Sequence, residues 1–155
     1  MTKKILVTGG SGLVGKALEH IVRISGEDIN DWTFINSKNY DLSLMDETIR
    51  CFTTIRPNVV IHLAACVGGL FKNMNNKVEM LEKNLMINYN VLKCAYVFKV
   101  SKVISCLSTC IFPDKTTYPI NEKMLHDGPP HKSNDAYAYA KRMLEIQSRA
   151  YQENY

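Results

Sequence analysis

Thr8-Gly9-Gly10-Ser11-Gly12-Leu13-Val14-Gly15 is the stretch whose reading decides the fold. It satisfies two glycine spacings at once, G-x-x-G-x-x-G at 9, 12 and 15 and G-x-G-x-x-G at 10, 12 and 15. A short β-branched-rich run over residues 4–8 precedes it. After it, apolar side chains fall at 13, 14, 17, 18, 21, 22 and 24, the spacing of one helix face. Glycine permits the tight turn and the close approach of backbone to a pyrophosphate, and the helix start adds N–H groups and a partial positive charge. A plain glycine-rich turn would carry the same letters. The strand before, the helix after and the place near the start of the chain favour a dinucleotide loop. Gly9, Gly10, Ser11, Gly12, Leu13, Val14 and Gly15 are therefore expected to bind cofactor.

Working outward, the same alternation repeats. Strands are expected over 32–35, 58–63 and 102–107, and helices over 44–55, 78–98 and 134–155. Pro57 stops the second helix. The segment 113–130 holds Pro113, Pro119, Pro129, Pro130 and Gly128 and reads as mostly loop. Strands alternating with helices of this length imply an α/β, Rossmann-type, doubly wound parallel sheet with helices on both faces. The near-continuous runs Val59-Val60-Ile61 and Val103-Ile104 fit strands covered on both sides.

Composition narrows the partners. The 155 residues are enough for one domain, and 46% hydrophobic with 22% charged residues is ordinary for a globular protein. The net charge of +4 is spread along the chain without a basic run interleaved with aromatics, so no nucleic-acid partner is expected. No apolar run approaches the roughly 18 residues that span a bilayer. The run over 5–7 stops at Thr8-Gly9-Gly10, too short for a signal peptide. The five cysteines (Cys51, Cys66, Cys94, Cys106 and Cys110) are odd in number and form no CxxC pair. Neither a disulfide framework nor a metal site is expected, and free thiols suit a reducing cytoplasm.

Chemistry enters at three further places. Folds specific for NAD usually carry an acid about 20 residues past the glycine loop, at the end of the second strand. Here Asn36-Ser37-Lys38 stands there, with no carboxylate to hold a 2′-hydroxyl or repel a 2′-phosphate, so NADP(H) is preferred. Lys38 either pairs with that phosphate or is a solvated loop lysine. Tyr137 and Lys141 share a helix face at i and i+4. An ammonium beside a phenol favours the phenolate, whose unperturbed pKa is about 10, and so equips the pair for proton exchange with a carbonyl or alcohol. The rival Tyr139 is i,i+2 from Lys141 and points away. Ser108 and Cys110 follow the strand over 102–107, where doubly wound folds bind ligands. Ser108 is placed to donate to a substrate carbonyl. Cys110 reads either as a proton-abstracting group or as a small buried hydrophobe.

The glycine loop, Ser108 and the Tyr137/Lys141 pair, in this order and spacing, resemble the extended short-chain dehydrogenase/reductases. Finer detail resembles the GDP-L-fucose synthase family: Ser-Cys-Leu-Ser-Thr-Cys-Ile-Phe-Pro (105–113), Pro-Asp-Lys-Thr-Thr-Tyr-Pro-Ile (113–120), Ala-Ala-Cys-Val-Gly-Gly-Leu (64–70) and Tyr-Ala-Lys-Arg-Met (139–143). Sugar-nucleotide dehydratases of the superfamily carry an acidic pair where Cys110-Ile111 stands here. The resemblance runs from Lys4 to the end. It implies an NADPH-dependent 3,5-epimerase and 4-reductase acting on GDP-4-keto-6-deoxy-D-mannose. It further implies that Gly9 to Gly15 hold the NADP pyrophosphate, that Lys38 lies near the ribose phosphate, and that Asp41 and Leu42 lie beside the adenine. Ala64 and Ala65 would pass behind the ribose and nicotinamide. Tyr137 would donate the proton in C4 reduction, Lys141 would bind the nicotinamide ribose, Ser108 would orient the 4-keto group, and Cys110 would be one acid/base of the epimerisations. Helices 78–98 and 134–155 would build a homodimer.

Members of that family are about twice this length. The histidine partner of the cysteine would lie beyond residue 155, and His126 and His131 read as surface loop residues. The expectation is a truncated NADP-binding domain over 1–155, inactive by itself, lacking the nucleotide-sugar domain and the last strands, with 102–107 left as an open apolar edge. Two other readings stay open: a non-catalytic NADP(H)-binding module, and a different nucleotide-sugar epimerase or reductase on the same scaffold.

Overall fold

The computed structural model describes residues 3–155; Met1 and Thr2, part of the domain expected over 1–155, lie outside them. In chain order the elements are β1 (Ile5–Thr8), α1 (Leu13–Ile24), β2 (Trp32–Ile35), α2 (Met45–Ile55), β3 (Val59–His62), α3 (Leu70–Asn75), α4 (Lys77–Val97), β4 (Lys102–Ser105) and α5 (Asp135–Asn154). Short 3-10 turns occupy Ile29–Asp31, Thr109–Ile111 and Glu122–His126. All strand pairs are parallel, in the order β2-β1-β3-β4. The chain therefore leaves β1 toward β2 on one side and returns through β3 on the other. This reversal, at the carboxyl ends of β1 and β3, is the switch point at which doubly wound sheets bind ligands.

Side chains alternate across the strands, and two apolar clusters follow from that. Leu6, Ile35 and Val60 pack with Leu42, with Cys51 and Phe52 of α2, and with Ile87, Val91, Cys94 and Ala95 of α4. Ile5, Val7 and Val59 point to the opposite face, against Leu18 of α1. Phe52 is fully buried beside the tilted ring of Phe98, 5.8 Å between centroids. Burial pushes the Cys51 thiol up to about 12, with neighbouring Cys94 adding to it, and Cys94 up to about 11, so both behave as core apolar groups.

The chain forms two compact units. The first comprises residues up to Ala65 together with Met86–Cys106 and contains the whole sheet; the second comprises Cys66–Leu85 and Leu107–Tyr155. α4 runs through both. No helix among the described residues is long and apolar enough to cross a membrane.

The expected strands and long helices all form, with ends shifted by a residue or two. Two details are added and one expectation changes. Residues 70–75 form α3, a short helix after Gly68-Gly69 that carries too few residues for a periodic signal. The segment 113–130 is mostly loop, as expected; within it Asn121 accepts a hydrogen bond from the Lys123 N–H at 3.1 Å and caps the turn Glu122–His126. And β4 is not covered on both sides. Among the described residues it pairs only with β3, and while Val103 packs on the α2/α4 cluster, Ile104 faces the other way at 47% exposure, outside the cluster beneath α1. The open edge expected at 102–107 is present over Lys102–Ser105.

Candidate active site

The sheet unit supplies the loop. Gly9 has φ +71, a left-handed conformation that favours glycine, and a Cβ there would lie 2.8 Å from the Ala64 backbone nitrogen. Gly15 is tighter: a Cβ would meet the Gly10 Cα and the carbonyl oxygens of Gly9 and Gly10 at 2.6 Å. The Gly12 N–H donates to the Gly9 oxygen at 3.0 Å, closing the turn, and the Lys16 N–H donates to the Gly12 oxygen at 2.9 Å, starting α1. Gly12 caps α1 without a side-chain bond, and the first turn carries no acid. The opening N–H groups of an α-helix have no partner within it. Ser11, Gly12, Leu13 and Val14 are exposed around them, so this end of α1 offers donors and the positive end of the helix dipole.

A buried chain of hydrogen bonds fixes that loop against the end of β3. The Ala64 N–H donates to Thr8 Oγ1 at 3.1 Å, Thr8 Oγ1 lies 2.8 Å from His62 Nδ1, and His62 Nε2 lies 3.1 Å from Asn88 Oδ1. An amide oxygen only accepts, so Nε2 carries the proton. In the neutral ring Nδ1 then accepts from the Thr8 hydroxyl. Thr8, His62 and Asn88 escaped the sequence reading. The available signal was the cluster of three asparagines, Asn84, Asn88 and Asn90, within one stretch of α4, since buried amides need partners.

Past β2, Asn36 caps its own turn. Its side chain accepts from the Lys38 N–H at 2.9 Å, and the Asn39 side chain accepts from the Asn36 N–H at 2.9 Å. Lys38 is exposed on this turn. Asp41 accepts from the Ser43 N–H at 3.0 Å and hydroxyl at 2.6 Å. Leu42 is a core residue at 6% exposure, its carbonyl accepting from Asn90 Nδ2 at 3.0 Å. Ala64 and Ala65 are half-buried.

The second unit carries the side chains expected to do acid–base work. Ser108 caps the turn Thr109–Ile111, and its Oγ lies 3.2 Å from Cys110 Sγ and accepts from the Cys110 N–H at 3.4 Å. Both side chains are half-buried, so Cys110 is not a core filler. On α5, Tyr137 is half-buried and Lys141 is 2% exposed. Burying an ammonium is costly unless it is paired. Tyr139 is 45% exposed, on the face the spacing gave it. His126 and His131 are exposed; His126 Nε2 lies 3.1 Å from Glu145 Oε2 and His131 Nδ1 lies 2.7 Å from the Ser133 hydroxyl.

The start of α5 is anchored ahead of Tyr137. Asn73 Nδ2 donates to Asn134 Oδ1 at 2.8 Å, and Lys77 Nζ donates to Asp135 Oδ1 and to the Lys132 oxygen, both at 2.7 Å. The Lys77 hydrogen bond holds the Asp135 carboxyl below the usual carboxylate range. A carboxyl with a depressed folded pKa stabilises above its unfolded value of about 3.9, and that stability is lost as pH falls through the folded value. The pair is solvent-screened, which limits it to about 1 kcal/mol. Asp135→Asn is therefore expected to cost that much at pH 7 and little at pH 2. Urea unfolding of both forms across this range checks it; an equal cost at both ends counts against the pair.

A model of the NAD dependent epimerase/dehydratase family matches residues 5–155. The GDP-L-fucose synthase of Dictyostelium discoideum is 56% identical over 153 residues, covering 99% of this chain and 48% of that protein. The probable GDP-L-fucose synthase of Drosophila melanogaster is 54% identical with the same coverage, 99% and 48%. Among solved structures, a GDP-L-fucose synthetase from Naegleria fowleri bound to NADP is 56% identical with a TM-score of 0.88, over 97% of this chain and 48% of that one. The chain spans about half the length of the curated relatives it matches.

Proposed function

Because the chain belongs to the NAD dependent epimerase/dehydratase family, we propose that it supplies the NADP(H)-binding residues and part of the acid–base machinery of a GDP-L-fucose synthase. The reaction, carried out within a longer chain, is 3,5-epimerisation and 4-reduction of GDP-4-keto-6-deoxy-D-mannose. The observation that carries this reading is the hydroxyl–thiol pair, Ser108 Oγ to Cys110 Sγ at 3.2 Å, in the unit that also holds Tyr137 and Lys141. A plain reductase needs the tyrosine and lysine; an epimerase also needs a group that takes a proton from carbon.

The glycine cradle fits a dinucleotide, since the space beside Gly9 and Gly15 admits no Cβ and brings backbone donors to an exposed helix start. Gly9 to Gly15 hold the pyrophosphate, and Lys38, exposed on a turn without a carboxylate at 36–38, faces the 2′-phosphate. Asp41 and Leu42 border the adenine, Leu42 through its backbone because its side chain is in the core. Ala64 and Ala65 lie behind the ribose and nicotinamide, and Lys141 binds the nicotinamide ribose. Bound NADPH supplies the hydride for C4.

C3 and C5 both flank the C4 carbonyl, which acidifies their protons. Ser108 donates to the carbonyl oxygen and stabilises the charge that gathers there when a C–H bond breaks. Cys110 acts as one of the groups that remove a proton from carbon or return one to the opposite face, which inverts the centre and leaves the atom count unchanged. Tyr137 then gives its hydroxyl proton to the C4 oxygen during reduction.

Two copies pair through α4 and α5, whose exposed apolar residues recur at helical spacing: Met86, Tyr89 and Tyr96 on one, Tyr139, Met143 and Ile146 on the other. Cytoplasmic residence accords with five free cysteines among the described residues.

The test follows the full-length protein in deuterium oxide with the GDP-ketosugar and NADPH. Deuterium at both C3 and C5 of a GDP-fucose product, with NADPH consumed, is expected. NADPH consumption without deuterium at either carbon leaves a reductase alone and overturns the epimerase assignment.

A further inference from the structure

Arg142 follows Lys141 on α5 and is 6% exposed. Its Nε donates to the Ile111 oxygen at 2.7 Å and its Nη2 to the Gly128 oxygen at 2.8 Å. Its Cζ lies 5.6 Å from the Tyr139 ring centroid. No carboxylate pairs with it among the described residues, so carbonyl oxygens take the place of water around a buried guanidinium. Ile111 ends the turn that Ser108 caps, and it immediately follows Cys110. The second carbonyl belongs to the far side of the same loop, where the Asp114 N–H donates to the Pro129 oxygen at 2.9 Å and Gly128 packs on Pro113. One planar fork thus grips both sides of the loop that presents the thiol. Tyr137 and Lys141 project from one face of α5, while Ala138 and Arg142, also at i and i+4, form the adjoining face.

We propose that Arg142 is a positioning residue that fixes the Ser108–Cys110 pair to the helix carrying Tyr137 and Lys141. The proposal rests on the epimerase-reductase reading. It follows that epimerisation depends on Arg142 more steeply than cofactor binding or C4 reduction does. A lysine substitutes poorly, because a single ammonium on a flexible stem does not reproduce a fork to two carbonyls.

The experiment compares Arg142→Met and Arg142→Lys in the full-length protein. Solvent deuterium exchange at C3 and C5 is expected to fall at least thirtyfold in Arg142→Met and about tenfold in Arg142→Lys, on the order of the losses seen when a catalytic group is slightly misplaced. NADPH affinity stays within about threefold, and reduction of a pre-epimerised ketone, which uses Ser108 but not Cys110, falls less than exchange does. Exchange within threefold of the unsubstituted protein in either variant overturns the proposal, as does equal loss of exchange and NADPH binding. If Arg142→Met yields no folded protein, Arg142→Lys carries the same comparison. If the unsubstituted protein itself shows no exchange, the functional reading fails instead. The positioning role is then read from the rate of Cys110 alkylation by iodoacetamide, followed by peptide mass spectrometry. A rate changed at least threefold in Arg142→Lys supports it, and an unchanged rate overturns it.

Discussion

Replacing Gly15 with valine is expected to abolish NADPH binding, raising the Kd at least a hundredfold, about 2.7 kcal/mol or more. The reason is backbone against backbone. A Cβ at Gly15 would sit 2.6 Å from the Gly10 Cα and from the oxygens of Gly9 and Gly10, and these atoms belong to the loop itself. Relief requires α1 to move off the turn, which dismantles the donors proposed to face a pyrophosphate. Overpacking of this kind costs about 1–3 kcal/mol in stability besides, so thermal unfolding is measured alongside fluorescence titration with NADPH. Gly12→Ala is the graded comparison, since a Cβ there meets only the Gly9 oxygen, at 3.2 Å, and its neighbour need give by a few tenths of an ångström. Affinity is expected to fall severalfold for Gly12→Ala. Undiminished affinity in a folded Gly15→Val protein would remove the loop from the cofactor site.

The same loop marks how far the sequence could be read. Its glycines announce themselves because chain stereochemistry is local: what a missing Cβ permits at Gly9 or Gly15 depends on a turn a few residues long. The strands and long helices were legible for a similar reason, since alternation and helical spacing repeat over whole elements. Tyr137 and Lys141 were legible because i,i+4 spacing fixes a shared face once the helix is granted. Ser108 and Cys110 drew notice by lying beyond a strand and within a segment that resembles a known family. Their 3.2 Å approach depends on a capped turn of three residues, too short to leave a pattern. The network Thr8–His62–Asn88 was invisible because its partners lie 54 and 26 residues apart, joined by the parallel register that sets Thr8 beside His62. Arg142 was missed for a different reason. An arginine beside a lysine on a helix reads as solvated surface, and only the carbonyls of Ile111 and Gly128, which follow from the path of a proline-rich loop, take it inside. Ile104 illustrates the converse: two adjacent apolar residues read as a doubly covered strand, yet coverage is a property of neighbours that the strand does not encode.

Tyr137→Phe and Cys110→Ser, taken together, are expected to divide the proposed reaction in two. Tyr137→Phe removes only the hydroxyl from a half-buried ring whose backbone is held by the hydrogen bonds that anchor the start of α5. The proton for the C4 oxygen is then missing, and general-acid loss of this kind costs about 10²–10⁴ in rate. Net reduction should fall within that range while NADPH affinity stays within about threefold, and deuterium should still enter C3 and C5, because those steps precede reduction and use other groups. Cys110→Ser replaces a thiol with a far weaker acid in nearly the same volume and keeps a partner for Ser108. Exchange at C3 and C5 should collapse by a comparable factor while a pre-epimerised ketone is still reduced. The crossing of the two outcomes is what matters. If each variant loses exchange and reduction equally, the two side chains do not divide the chemistry, and the assignment of Cys110 to carbon and Tyr137 to oxygen fails. If Tyr137→Phe alone is damaging, Cys110 returns to the role of a half-buried thiol beside Ser108, and the chain belongs to a reductase without epimerase action.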